Sequence, residues 1–153
     1  MDSIFLMKPE SVCVTQADGK DGILRQLAEL FAGAFSLDAD LVLEHLEERE
    51  KLGSTGFGRG VAIPHARLPD LGRPVAALLK LERPVEFNSA DGLPVDLVFG
   101  LLSPASSGAT HLHALAAISR LVRDEGVHDA LSDAPDAEAL YGVLTNVTDR
   151  DVA

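Results

Sequence analysis

The sequence predicts an α/β fold: a three-layer α/β/α sandwich in which helices flank a small sheet, in a single domain over residues 1–153. Three observations point there. Two nearly continuous apolar runs, PVAALLKLE (residues 74–82) and PVDLVFGLLS (94–103), read as central strands covered on both faces. A strand with one wet face would alternate apolar and polar residues instead. Segments with apolar residues at helical spacing precede and follow these runs, which supplies both covering layers. The length of 153 residues and the hydrophobic fraction of 46% suit one ordinary core.

From the N-terminus, VCVTQ (12–16) is a short strand. GKDGILRQLAELFAGAF (19–35) then puts Ile23, Leu24, Leu27, Leu30, Phe31 and Phe35 on one helical stripe, and Gly33 weakens its end. Ser36 or Asp38 caps the next helix, residues 39–52, which carries Leu41, Val42, Leu43 and Leu46. Gly53 stops that helix. VAIPH (61–65) is the second strand, ahead of the two apolar runs, which are separated by the turn residues NSADGLP (88–94). After the loop SPASSGA a helix starts at Ala109 or Thr110, with Leu112, Leu115, Ile118, Ser119 and Val122 facing one way. A final amphipathic segment, APDAEALYGVLTNV (134–147), offers Leu140, Val143 and Leu144 for packing.

Charge and cysteine usage exclude several functions. Lys plus Arg is 13 and Asp plus Glu is 24, a formal net charge of −11. That balance opposes a general nucleic-acid binder, which needs a basic surface to displace counterions. It opposes docking on an anionic membrane for the same reason. A local positive site, or a basic protein partner, stays open. Cys13, in the apolar context SVCVT, is a small packed side chain with no partner for a disulfide. No basic leader precedes an apolar stretch, and no run approaches the roughly 18 apolar residues of a membrane span. The expected location is the cytoplasm.

The chemistry is concentrated in GSTGFGRGVAIPHARL (53–68). His65 ends a strand, at a sheet edge where loops build sites. Gly56, Gly58 and Gly60 lie just upstream, where bare backbone N–H groups can approach an anion. Ser54 and Thr55 add hydroxyls, and Arg49 adds a guanidinium whose fork matches a phosphate. A neutral imidazole among anion-binding groups can attack phosphorus. On the residues alone, a tight turn remains open for the glycines and a satisfied core position for His65. A nucleotide loop is excluded, because there is no Walker lysine and the order is helix to strand.

Two more histidines lie in ATHLHALAAISRL. His111 falls in the first turn of its helix, where orphan N–H groups and the helix dipole favour an anion. His113, at i+2, faces elsewhere, so the pair cannot clamp a metal with His65. No metal or cofactor is expected. His45 reads as a packing residue in mid-helix and His128 as a surface residue.

REKLGSTGFGRGVAIPH (49–65) resembles the active-site signature of the phosphotransferase-system EIIA domains of the fructose/mannitol superfamily, which includes the nitrogen-regulatory IIA proteins. The resemblance continues through PVDLVFGLLSPA and THLHALAAISRL and so covers nearly the whole chain. It implies an α/β/α domain with a mixed sheet, acting as a phosphocarrier. It implies that His65 is phosphorylated by the phosphocarrier HPr or its nitrogen-branch counterpart NPr, and that His111 hydrogen-bonds the phosphoryl group. Arg49, Ser54 and Thr55 match the arginine and the hydroxyl pair beside the phosphate. The roles of Arg59 and Arg67 stay open, since those positions vary in the family. THLHALAAISRL looks more like the nitrogen-regulatory type, which controls partner proteins through its phosphorylation state. The alternatives are a sugar-specific IIA that passes phosphate to a IIB domain, and an interaction module that binds partners without phosphate.

Overall fold

The two apolar runs pair with each other at the centre of one sheet. In the computed structural model, which describes residues 4–152 and side chains through 146, they are β5 (Val75–Val85) and β6 (Val95–Pro104). They run antiparallel, with Leu78 opposite Phe99 and Leu79 opposite Val98. β1 (Val12–Thr15) adds to β5 in parallel. β3 (Val61–Ala62) and β4 (His65–Leu68) add in parallel to the other side of β6, and β2 (Gly56–Gly58) runs antiparallel to β3. The sheet is therefore mixed.

The strand expected at 61–65 is interrupted. Val61 pairs with Leu97 and His65 with Leu101, so β3 and β4 keep one register on β6 across Ile63-Pro64. Pro64 has no N–H to give the ladder, and its carbonyl accepts from Leu101 N at 3.0 Å. His65 is the first residue after this break.

Alternation along the central strands sends side chains into two cores. On one face Ala77, Leu79, Val98 and Leu102 pack against α1 (Lys20–Phe35) and α2 (Ala39–Lys51). On the other, Leu78, Leu97, Phe99 and Leu101 meet α3 (Gly108–Arg123), α4 (Glu125–Asp133) and α5 (Ala137–Val152). Each buried Leu or Phe contributes about 1.5–3 kcal/mol. Gly100 lets α1 sit close on β6, since a Cβ there would lie 2.8 Å from Leu27 Cδ2 and 2.9 Å from Phe31 Cε2. Cys13 is half-buried against the α1 layer, as a packed thiol should be. Among the described residues no helix is long and apolar enough to cross a membrane.

One alternative is decided and three local expectations change. Asp38, not Ser36, caps α2, accepting from Asp40 N at 3.0 Å; Ser36 instead closes α1 in the left-handed conformation, φ 56°. α3 begins at Gly108 under a Ser107 cap, slightly ahead of the expected start. Its buried face is Ala114, Ile118, Leu121 and Val122, which leaves Leu112 65% exposed. α4 is an additional helix with Val127 and Leu131 as its buried residues. Lys80 holds the end of α4, its ammonium donating to the carbonyls of Leu131, Ser132 and Ala134.

Candidate active site

The glycine segment is a hairpin. Arg59 (φ 58°) and Gly60 (φ 83°) are both left-handed between β2 and β3, the two-residue turn whose twist matches paired strands. Asp91 accepts from Arg59 N at 2.8 Å and holds the tip. The Arg59 guanidinium reaches Glu125 at 3.7 Å and the Arg123 carbonyl, so it ties the hairpin to α3 and α4. His128 also joins this tie, donating through Nε2 to the Arg59 carbonyl at 3.1 Å.

Ser54 and Thr55 are occupied elsewhere. The Ser54 hydroxyl donates to the Phe87 carbonyl at 2.8 Å and accepts from Gly56 N at 3.0 Å. Thr55 is buried, and both its hydroxyl and its N–H donate to the Glu50 carboxylate. Glu50 is buried as well, with Lys20 Nζ 2.6 Å away. This network locks the start of the hairpin to the end of α2, the turn that carries Arg49.

His65 has its two ring nitrogens in different roles. Nδ1 lies 2.7 Å from the Ile63 carbonyl, which can only accept, so Nδ1 carries the proton. Nε2 is left with its lone pair, and Arg49 Nε donates toward it at 3.3 Å. Arg49 is itself anchored by the Gly53 carbonyl, 2.9 Å from its Nη1. The His111 ring lies 5.5 Å from that of His65, tilted by 43°, and its Nδ1 is 2.8 Å from Ser103 Oγ. Burial pushes the His65 pKa below 6.5, aided by the Arg49 charge and opposed by the Ile63 bond and by Glu50. Burial, then His65 and Arg67, push His111 down to about 4. Both rings are therefore neutral at pH 7.

These groups line an open cleft of about 580 Å³. The structure brings His65, His111 and Arg49 together there, and it places the Ser54 and Thr55 hydroxyls on other partners. Arg67 joins the cleft, because two residues along a strand return to the same face as His65. His45 joins it too, four residues before Arg49 on α2 and so on the same helix face. That spacing is the signal that sets His45 apart from a packing residue. His113 is exposed, two positions from His111. A neutral nucleophilic nitrogen beside the Arg49 guanidinium, in a cleft that Arg67 also lines, can attack an electrophile whose negative charge these cations offset.

A family model described as "Phosphoenolpyruvate-dependent sugar phosphotransferase system, EIIA 2" matches residues 5–147. The chain is 44% identical over 140 residues to a nitrogen regulatory protein of Bradyrhizobium diazoefficiens, covering 91% of this chain and 92% of that protein. It is 46% identical over 129 residues to a nitrogen regulatory protein of Pseudomonas aeruginosa, covering 84% of each. Among solved structures it is similar to the nitrogen regulatory protein IIA-Ntr from Neisseria meningitidis, with a TM-score of 0.83 and 31% identity over 90% of this chain and 95% of that one.

Proposed function

The chain belongs to the phosphoenolpyruvate-dependent sugar phosphotransferase system EIIA 2 family, and on that premise we propose that it is a cytoplasmic phosphocarrier of the nitrogen-regulatory type, with His65 as phosphoryl acceptor. The observation that carries the assignment is the division of labour on His65: Nδ1–H is held by the Ile63 carbonyl, which presents the Nε2 lone pair to the cleft beside Arg49. The donor is the phosphohistidine of a small carrier protein, HPr or NPr. The Nε2 lone pair attacks phosphorus, the bond to the carrier nitrogen breaks, and that nitrogen leaves with the electron pair. The proton on Nδ1 stays where it is, and the Ile63 carbonyl stabilises the positive charge the ring gains.

Arg49 and Arg67 neutralise the phosphoryl oxygens, and His111 donates a hydrogen bond to one of them. Ser54 and Thr55 serve by holding the loop through Phe87 and Glu50, not by touching phosphate. The regulatory part of the reading is supported by the shared description of the relatives: the phosphorylated and free forms of His65 present different charge to a partner protein.

The test is phosphorylation in vitro with phosphoenolpyruvate, enzyme I and the carrier. The protein is expected to gain an acid-labile, base-stable phosphate that His65→Ala does not gain. Labelling of His65→Ala to the same extent overturns the assignment. For the regulatory part, partner capture is expected to differ between His65→Ala and a phosphomimetic His65→Glu; equal capture favours a phosphate-independent module.

A further inference from the structure

Ser103 lies near the end of β6, fully buried, at the position paired with Arg67. Among the described residues its hydroxyl makes one hydrogen bond, 2.8 Å to His111 Nδ1. A hydroxyl brings one proton and two lone pairs, and a buried donor left without an acceptor is costly. Nδ1 is the acceptor within reach, so the Ser103 proton goes there. At pH 7 the His111 ring is neutral and holds a single proton of its own. With Nδ1 accepting, that proton sits on Nε2, at the far edge of the ring.

The consequence is a pair of complementary tautomers. His65 gives its Nδ1–H to the Ile63 carbonyl and keeps a lone pair on Nε2. His111 spends the lone pair of Nδ1 on Ser103 and keeps an N–H on Nε2. With the opposite tautomer, His111 would turn a lone pair toward phosphoryl oxygens and repel them. The hydroxyl comes from the sheet, whereas the ring comes from α3, whose first turn is fixed by the Ser107 cap and by His111 N donating to the Ser107 carbonyl. Ring position and ring tautomer are thus set by different elements.

We propose that Ser103 is a positioning residue that acts through His111, fixing its Nε2–H tautomer and aiming that N–H at a phosphoryl group on His65. The inference rests on the reading of His65 as the phosphoryl acceptor. Long-range ¹H–¹⁵N NMR of the unphosphorylated protein reads each histidine tautomer without any transfer taking place. His111 is expected as Nε2–H, with the Nδ1 signal displaced by the Ser103 hydrogen bond. Ser103→Ala is expected to return that signal to the position of an unbonded ring nitrogen, and Ser103→Thr to restore the displacement.

Phosphoryl gain from the phosphorylated carrier is expected to slow about five- to tenfold in Ser103→Ala and to recover in Ser103→Thr. A His111 protonated on Nδ1 in the wild-type protein, or an Nδ1 signal that Ser103→Ala leaves in place, overturns the proposal even when His65 is the phosphorylated residue. Phosphorylation persisting in His65→Ala instead overturns the underlying reading, and the NMR spectrum tells the two failures apart.

Discussion

Arg49 Nε points at the Nε2 lone pair of His65 from 3.3 Å. A fixed cation donating to the nucleophile adds to burial in keeping the ring neutral, and in the proposed transfer the same guanidinium would stand beside the incoming negative charge. Arg49→Ala is expected to slow phosphoryl gain about 100-fold, the cost of removing one preorganised donor to developing charge. Arg49→Lys is expected to recover only part of this, because an ammonium lacks the planar fork that reaches Gly53 and His65 together. Burial is the first reason the His65 pKa is low and Arg49 a further one, so Arg49→Ala raises it. An NMR titration of His65 that stays in place in Arg49→Ala would remove the electrostatic half of this account.

His111 makes folding stability depend on pH. In the unfolded chain it takes a proton below about pH 6.5; in the folded protein, burial and then His65 and Arg67 delay this to about pH 4. Between those values the unfolded state binds the extra proton, so stability rises with pH across the window and is lost as pH falls through it. The lowered pKa of His65 acts in the same direction. Urea unfolding midpoints are expected to fall steadily from pH 7 to pH 4.5, and His111→Gln is expected to flatten that slope. An equal slope in His111→Gln would place the acid sensitivity elsewhere.

Glu50 is the hub that joins α1, α2 and the hairpin. Its buried carboxylate takes the Lys20 ammonium and both donors of Thr55. Glu50→Ala leaves all three without their acceptor and is expected to cost about 3 kcal/mol, measured by urea unfolding at pH 7. Lys20→Met alone is expected to cost less, because Thr55 keeps its acceptor. The Glu50 charge also raises the His65 pKa, so Glu50→Gln is expected to lower it further. A His65 titration unchanged in Glu50→Gln would restrict Glu50 to a mechanical role.

What could be read from the sequence follows from how local each signal is. The β5 and β6 runs are apolar at nearly every position, and Ile23, Leu27 and Phe31 repeat at helical spacing; these elements are written into their own residues. α4 has two buried residues, Val127 and Leu131, too few to show a period in a polar segment. Leu112 reads as core by spacing, yet the first turn of α3 overhangs the cleft, and nothing in the residue itself reveals that. The meeting of His65, Arg49 and His111 is legible as a motif. Their hydrogen-bond partners, Ile63, Gly53 and Ser103, show themselves through contacts that bring separate elements together or turn on one carbonyl's direction.

Gly60 separates two explanations of the glycine segment, a tight turn and an anion cradle. Its φ of 83° follows the left-handed Arg59 in a two-residue hairpin turn, and a Cβ there would meet Asp96 Oδ1 at 3.2 Å. Gly60→Ala is expected to cost about 1–2 kcal/mol in stability, the strain of a left-handed alanine. The turn is pinned to Asp91, and the Arg59 guanidinium to α3 and α4, while the cleft is built from α2, β4 and the start of α3. The rate of phosphoryl gain by folded Gly60→Ala is therefore expected to stay within about twofold of wild type. A variant that keeps its stability but loses transfer would return the glycines to the phosphate, because only a backbone held against the phosphoryl group would feel one added methyl in that way.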